Sequence, residues 1–556
     1  MTQNIHDIQE RKKIKIKIND NEYEVLEGMN IVEACDAYEI PLERFCYHRY
    51  LPVDGNCRTC MVEIETPRGR MLTIGCNTKV QDGMVIYTNS ENAIRAQKSA
   101  LEFLLLDHPL DCPICDKAGE CSLQDNYMDF GRYDFRRIVP RYFKKGKAIN
   151  AGDHIVLDQE RCILCTRCIR FLDNITQTSE LGIIHRGHAS KISTYPGKPI
   201  SNDYSGNITD ICPVGALTLK EFRFKQRVWF LKKTKSICVE CARGCSITME
   251  QNFNKIWRFM PRENPHLNRV WICDKGRFSF KKYHENRLWN PILNQNEIDL
   301  TQATLELENV LKTYHWNEIG WILGPYSSME TLYIAKKYFG ENVYALIPPA
   351  TGKKDELLQL PQEYPNEQGI RFFGMNVHQQ ELQSKIEKEQ IKLLFIVEID
   401  IYRFLANWRE LIEKIQALPY KIYFTSFQDE TSKHMDLVIP VRSHAEIEGT
   451  YINATSLLQK SEASIEPENS FISSSAVLLS QIAYLAGRIP RIFSSNSEIY
   501  NEFKNEYEEL KQYSFSNIPD FGIKLSLPKI ANEPFQGVKV DFNIFMIPET
   551  QLTKMR

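Results

Sequence analysis

RCILCTRCIRF at residues 161–171 and DICPVGA at 210–216 decide how this chain is read. Cys162, Cys165 and Cys168 stand two residues apart, and a remote Cys212 is followed by Pro213. Thiolate is a soft, charge-donating ligand for iron and sulfide, and two intervening residues let a tight loop wrap one corner of a cluster. Three further sets of four extend the pattern outward: Cys46, Cys57, Cys60 and Cys76; His108, Cys112, Cys115 and Cys121; and Cys238, Cys241, Cys245 and Cys273. All sixteen cysteines lie in the first 273 of 556 residues, and only Cys35 falls outside these sets. The chain reads as an electron conductor.

The set around Cys162 resembles the bacterial ferredoxin run. In two-cluster ferredoxins the Cys-Pro cysteine serves the other cluster, so joining Cys212 to Cys162 rests on the lack of a nearer unassigned cysteine. Cysteine pairs of this spacing also build tetrahedral zinc knots, an alternative open for the Cys238 set and a poor fit to the Cys162 set. Disulfides are not expected, because no apolar signal-peptide core is visible and a reducing compartment follows. Cys35, inside the periodic NIVEACDAYEI, reads as a buried core thiol. His108 follows LEFLLLD, where a histidine commonly ends a helix or packs in a core. Its spacing argues for a ligand, since Cys112, Cys115 and Cys121 supply only three thiolates. Neutral imidazole makes such a cluster one unit less negative and shifts its potential upward.

A hydrophobic content of 43% with 25% charged residues is ordinary for soluble globular protein, and the length suggests roughly three to five domains. The net charge of −2 argues against bulk nucleic-acid binding. Two stretches are locally basic, RRIVPRYFKKGK at 136–147 and KEFRFKQRVWFLKKTK at 220–235. Each abuts a cysteine set, where cations offset cluster charge or dock a partner subunit. No run reaches the ~20 apolar residues of a membrane span, the longest candidate lying near AVLLSQIAYLAG. The opening MTQNIHDIQERKKIK lacks the character of an organellar import segment, so a bacterial cytoplasm is expected, with membrane association through partners.

KKIKIKI alternates with period two, NDN punctuates and EYEVL resumes, which predicts a hairpin. A short helix stopped by Pro41 and strands at VEIETP and VIYTN complete a small mixed sheet resembling the ferredoxin-type β-grasp. The ten residues between Cys46 and Cys57 depart from the plant-type spacing of four. ENAIRAQKSALEFLLLD at 91–107 is helical and ends at His108. Beyond residue 290 strand and helix patterns alternate, with strands at GWILG, NVYALI, LLFIVEID, KIYFTSF and DLVIPV, as in a parallel sheet covered by helices. The last 40 or so residues read as an extended tail.

With all four sets placed, the chain resembles the large iron-sulfur subunit family of the respiratory NADH:quinone oxidoreductase, complex I, whose members are known as the G subunit in bacteria and the 75 kDa subunit in mitochondria. The strings that carry the resemblance are HPLDCPICDKAGECSLQD, RCILCTRCIRF, SGNITDICPVGALT and RFKQRVWFL. It implies an α+β multidomain chain: a β-grasp 2Fe-2S ferredoxin-like domain at 11–90, a His/Cys-ligated 4Fe-4S segment at 91–153, and a 4Fe-4S ferredoxin-like domain at 154–232. A molybdopterin-oxidoreductase-type 4Fe-4S domain at 233–290 and a degenerate molybdopterin-oxidoreductase-like α/β domain with tail at 291–556 follow. One 2Fe-2S cluster falls to Cys46, Cys57, Cys60 and Cys76. Three 4Fe-4S clusters fall to His108, Cys112, Cys115 and Cys121, to Cys162, Cys165, Cys168 and Cys212, and to Cys238, Cys241, Cys245 and Cys273. The resemblance sets the last of these aside from the main electron path.

CDKGRF around Lys275 and DLVIPVRSHAEIEGTYIN are similar to molybdopterin oxidoreductases. No cysteine follows Cys273 to hold molybdenum, so no molybdopterin is expected. No Gly-rich dinucleotide fingerprint or P-loop appears, so no hydride is taken from NADH here. The implied role is a relay from a flavin-bearing, NADH-binding partner toward quinone-proximal iron-sulfur subunits, on the cytoplasmic side of the bacterial inner membrane, with no catalytic acid, base or nucleophile. The alternative is a subunit of a formate dehydrogenase or NAD-linked hydrogenase, where similar modules recur.

Overall fold

The computed structural model describes residues 12–535 except Phe135, Val139 and Lys145. The opening stretch to Arg11 and the end of the tail, including MIPET, lie outside the described residues. Two compact units divide the described chain, one running to Leu231 and the other Lys232–Phe535.

In the first unit β1 (Lys13–Ile18) and β2 (Asn21–Leu26) form the expected hairpin. Ile14, Ile16 and Ile18 are buried while the lysines between them face out, and Asn19 and Asp20 both take the positive φ of a tight hairpin turn. Helix α1 (Ile31–Ala37) opens with a capping box in which Asn30 and Glu33 satisfy each other's backbone N–H groups. Its buried face, Cys35 included, packs on β3 (Met61–Thr66), β4 (Gly69–Ile74) and β5 (Val85–Tyr87). The sheet order is β2-β1-β5-β3-β4, with β1 and β5 parallel and the other pairs antiparallel. Helix α2 (Glu91–Leu105) is pinned to it by buried Gln97, whose amide donates to the carbonyls of Met61 and Thr88.

The rest of this unit is small elements between cysteine loops. Helix α3 (Ser122–Phe130) is followed by β6 (Ile149–Asn150), β7 (Ile155–Leu157), α4 (Arg167–Asn174) and the hairpin β8 (Leu181–Ile184) and β9 (Lys191–Thr194). Then come α5 (Asn207–Ile211) and β10 (Leu217–Leu219), which returns antiparallel to β7.

The second unit begins with an antiparallel sheet of β11 (Lys232–Ile237), β12 (Ser246–Asn252) and β13 (Lys255–Pro261), followed by α6 (Asp274–Phe278). Its main body runs through β14 (Ile292–Leu293), β15 (Asn296–Glu297), α7 (Leu300–Thr313), β16 (Ile319–Leu323), α8 (Met329–Tyr338) and β17 (Val343–Ala345). It continues through α9 (Glu367–Phe372), α10 (Gln379–Glu387), β18 (Leu393–Val397), α11 (Leu405–Gln416), β19 (Tyr420–Thr425) and β20 (Leu437–Pro440). The sheet order is β15-β14-β20-β19-β18-β16-β17; the five strands expected from the sequence pair in parallel, and β14 and β15 add an antiparallel edge.

Alternate strand residues feed two cores. Trp321, Phe395 and Phe424 pack with α7, α8, α12 (Ser475–Leu485) and α13 (Asn496–Phe503) on one face, while Ile322, Leu394, Ile396 and Tyr423 pack with α10 and α11 on the other. The strands are apolar on both sides because both sides are covered. A last sheet joins β21 (Gly449–Ile452), β22 (Leu457–Ser461) and β23 (Ile523–Lys524). The described part of the tail is thus tied down: β23 pairs with β22, and the Ile530 N–H donates to the Ala454 carbonyl.

Candidate metal centres

The first set is gathered from two loops. Cys46, Cys57 and Cys60 lie on the connection from α1 to β3, and Cys76 sits in the turn Gly75–Asn77 after β4. All four are buried. The Cys46 thiol meets those of Cys57 and Cys76, and Cys60 meets Cys76. Backbone N–H groups of Cys46 and Cys76 point at the sulfurs of Cys57 and Cys60, each at 3.5 Å. Such donors stabilise negative sulfur and raise the potential of a cluster held there. Glu43, unremarked in the sequence, is also buried here with no hydrogen-bond partner among the described residues; burial pushes its carboxyl up to about 8, so it stands neutral. Cys35 is fully buried in the core, and burial pushes its thiol up to about 12, as befits a packing residue.

In the second set, Cys112 opens a single turn, Cys115 closes it and Cys121 precedes α3. Cys115 lies in electrostatic range of Cys112, and Cys121 of Cys115. Cys112 is exposed, while Cys115 and Cys121 are buried. His108 follows α2 on the same segment, and Arg161 bears on both His108 and Cys115. Burial, with Arg141 and Arg161 nearby, lowers the His108 pKa to about 4, so the ring is neutral, and its buried Nδ1 has no hydrogen-bond partner among the described residues. A neutral, under-satisfied imidazole on the same segment as three thiols has the chemistry of a ligand.

The third set is drawn together by a strand pairing. Pairing of β7 with β10, extended by the Asp158 N–H to the Ala216 carbonyl at 2.7 Å, returns the chain from residue 217 to the start of the cysteine run. Cys212, at the end of α5, then bears on Cys162, Cys165 and Cys168, the last in the first turn of α4. Leu164 and Thr166 take positive φ, which wraps the loop between the thiols. Burial raises Cys162 to about 12 and Cys165 to about 11. Burial of this kind disfavours thiolate unless a cationic centre holds the sulfur.

The fourth set, in the second unit, surrounds the β11–β12 turn. Cys238 and Cys245 flank it, joined by the Cys238 N–H to the Cys245 carbonyl at 2.8 Å, and Cys241 lies between them. Cys273 precedes α6 and accepts from the Gly276 N–H. All four bear on one another, and burial pushes Cys273 to about 12. A β-carbon at Gly276 would fall 2.9 Å from the Cys238 sulfur, so glycine leaves the room the sulfurs use. Lys282 binds Glu240, between Cys238 and Cys241, and Lys275 binds Glu363.

Among the described residues no three His, Cys, Asp or Glu side chains converge as ligands of a single ion. Iron-sulfur ligation asks for less convergence, since four ligands are shared among two or four irons. The basic stretches serve these loops: Lys144 donates to the Cys162 carbonyl at 3.4 Å, Arg227 to the Cys115 carbonyl at 2.8 Å, and Arg141 to the Asp107 carbonyl at 3.1 Å.

Backbone contacts also link one set to the next. The Cys121 sulfur faces the Pro213 carbonyl at 3.7 Å, and Gly215 abuts Cys115, so the segment after Cys212 touches the second set. Arg167 and Arg170 of α4 reach the loop of the first set. These arginines were visible inside RCILCTRCIRF as charges beside cysteines, but nothing in the string names their distant partners.

Four family models match the chain: a 2Fe-2S iron-sulfur cluster binding domain at 11–91, the NADH-ubiquinone oxidoreductase-G iron-sulfur binding region at 97–136, the NADH-quinone oxidoreductase subunit 3 ferredoxin-like domain at 152–218, and the NADH-ubiquinone oxidoreductase NDSU1/NuoG-like 4Fe-4S domain at 231–281. An N-terminal 2Fe-2S ferredoxin-like domain is thus followed by 4Fe-4S domains. The G subunit of NADH-quinone oxidoreductase from Rickettsia conorii is 37% identical over 340 residues, 60% of this chain and 50% of the relative. The NADH-ubiquinone oxidoreductase 75 kDa subunit of Reclinomonas americana is 38% identical over 330 residues, 58% of this chain and 47% of the relative. The mitochondrial 78 kDa subunit of Neurospora crassa is 37% identical over 333 residues, 58% and 44%. The chain spans about half the length of the curated relatives it matches. A solved NAD+-reducing [NiFe]-hydrogenase in the H2-reduced state shares 25% identity at a TM-score of 0.34, over 39% of this chain and 91% of that one.

Proposed function

Because the chain is a homologue of the G subunit of NADH-quinone oxidoreductase and of the 75 kDa and mitochondrial 78 kDa subunits of NADH-ubiquinone oxidoreductase over 58–60% of its length, we propose that it is the iron-sulfur relay subunit in the peripheral arm of an NADH:quinone oxidoreductase. A flavin-bearing partner takes the two-electron hydride from NADH and releases it as single electrons, which this chain conducts toward quinone-proximal iron-sulfur subunits.

Cys46, Cys57, Cys60 and Cys76 would hold one 2Fe-2S cluster. The His108, Cys162 and Cys238 sets would hold one 4Fe-4S cluster each. Such clusters, when bound, take up and release one electron at a time. The chain's own residues bury most of the ligand sulfurs, aim N–H groups at them and fix the spacing of the sites. The observation that carries the reading is the bridging of the sets: arginines of α4 join the first to the third, and the Cys212–Gly215 segment joins the third to the second. The resulting spatial order, first, third, second, differs from the sequence order. The family resemblance sets the fourth set off the main path.

A partner surface is supported at the second set. Leu110 and Trp229 are 92% and 58% exposed, and Ile114 and Phe230 are exposed beside them, around an exposed Cys112. An apolar surface of this kind suits a partner subunit. No helix among the described residues is long and apolar enough to cross a membrane, which fits attachment to the cytoplasmic face of the inner membrane through partners.

The first sheet supports the β-grasp reading. In the second unit the parallel strands with helices on both faces support a degenerate molybdopterin-oxidoreductase-like domain. Ligands of such sheets bind at the carboxyl ends of the strands. Here that end carries two buried carboxyl groups, Glu398 directly after β18 and Glu330 at the start of α8. Burial holds both above the ordinary carboxyl range, and they accept from the Thr450 and Ser475 hydroxyls, which supports a structural role.

The test is stepwise reduction of the anaerobically purified chain, followed by low-temperature electron paramagnetic resonance with iron and sulfide counts. One two-iron and three four-iron signals are expected. A preparation devoid of iron and acid-labile sulfide overturns the proposal. In the assembled complex, Cys165→Ser should abolish electron flow from NADH to quinone, and unchanged turnover would contradict the ligand assignment.

A further inference from the structure

Arg170 leaves the first turn of α4 and places one guanidinium between two candidate sites. Its Nη2 donates to the carbonyl of Cys46, in the first set, and to the carbonyl of Cys165, in the third, the latter at 3.2 Å. Its Nη1 donates to the Pro52 carbonyl and its Nε to the Thr166 hydroxyl at 3.0 Å. Arg167, one turn earlier, repeats the arrangement on the next residues along: Nη2 donates to the Tyr47 carbonyl at 2.6 Å and Nη1 to the Ile211 carbonyl at 3.2 Å. These carbonyls belong to the residue after Cys46 and the residue before Cys212. The neighbouring Asn56 amide donates to the Leu164 carbonyl at 3.1 Å, and the Thr166 hydroxyl donates to Asp54, so the two loops are stitched together on both sides of the arginine.

We infer that Arg170 is a positioning residue shared by the first and third iron-sulfur sites, holding one ligand carbonyl of each on a single guanidinium and raising the reduction potential of both clusters. The inference rests on the relay proposed above. Guanidinium is charged at every accessible pH, and its planar fork can serve several acceptors at fixed angles, which a lysine ammonium cannot reproduce. Reduction adds one negative charge to a cluster, and a fixed cation nearby stabilises the reduced form. Arg167 and Arg170 both act on the Cys165 sulfur in this sense, each favouring its negative form.

The test is a redox titration of the full chain, purified anaerobically, with each cluster followed by its paramagnetic signal. In Arg170→Gln the two-iron cluster and the four-iron cluster of the third set should become harder to reduce. The expected change is about tenfold in each reduction equilibrium, about 59 mV for one electron. The other two four-iron clusters should keep their potentials, and Arg170→Lys should fall between Arg170→Gln and the natural chain. If Arg170→Gln fails to retain both clusters, the lysine variant carries the test, with a smaller drop confined to the same two. Unmoved potentials with iron and sulfide in place overturn the inference, as does an equal shift of all four clusters, which would report a general loosening. Absence of clusters from the natural chain would instead overturn the relay proposal.

Discussion

Gly215 lies so close to Cys115 that a β-carbon on it would fall 2.1 Å from the Cys115 sulfur. The glycine therefore serves a thiol a hundred residues upstream, although in sequence it belongs to the third set. Gly215→Ala should expel the cluster of the second set while sparing the others. Loss of one four-iron signal, with three clusters retained, is the expected spectrum. Gly182→Ala, where a β-carbon would meet nothing within 4 Å, is the control and should retain all four.

His108→Cys replaces a neutral ligand by a charged one. The four-iron cluster of the second set should become more negative in charge and its midpoint potential should fall, with the other three unmoved. A redox titration reads this directly; an unaltered potential would make His108 a packing residue.

His444 offers a pH test in the second unit. It lies between the Tyr451 hydroxyl at 3.2 Å and the Ser236 hydroxyl and Ile237 carbonyl, both also at 3.2 Å. Burial first, then the nearby Lys282, lowers its pKa to about 3. A histidine depressed in the folded state binds its proton more readily when unfolded. Its contribution is therefore fully present above about pH 6.5 and is lost as pH falls toward 3. Each pKa unit corresponds to about 1.4 kcal/mol. Melting temperatures measured between pH 4 and 7 should fall less steeply on acidification in His444→Gln than in the natural chain.

Trp321 stacks on Phe395 with ring centroids 4.0 Å apart, and Phe339 closes on it at 4.2 Å. It is fully buried at the centre of β16, one strand in from the β17 edge of the sheet. Trp321→Ala should destabilise the second unit by about 3–5 kcal/mol. Thermal unfolding should show that loss with the cluster signals of the first unit unchanged.

The ligand sets were legible because cysteine spacing is local: a loop that wraps a cluster must carry its thiols a few residues apart. Alternation was legible in β1, where every second residue is buried, and in the apolar runs that became β16, β18 and β19. Strand β4 was missed because GRMLTI at the sheet edge is exposed over its first four residues and shows no inward face. Strands β11–β13 were hidden differently: SITMEQN in β12 is polar in composition yet buried over six residues, because neighbouring chain supplies partners for its side chains. Helices α10 and α13, of nine and eight residues, are too short for a periodic signal to rise above their polar composition. What joins one set to another was out of reach. Arg170 and Cys46 are 124 residues apart, and a charge next to a cysteine does not announce which distant carbonyl it will bind.

The ladder between β7 and β10 returns Cys212 to its companions across the long stretch that lies between α4 and α5. That intervening stretch carries the β8–β9 hairpin, whose tip at His185–His188 is exposed. Lengthening a closed loop is thermodynamically mild, about 0.6 kcal/mol for each doubling. The hairpin tip is accordingly the place where a reporter, an affinity handle or a lineage-specific insertion can be spliced in while the wiring beneath it stays intact.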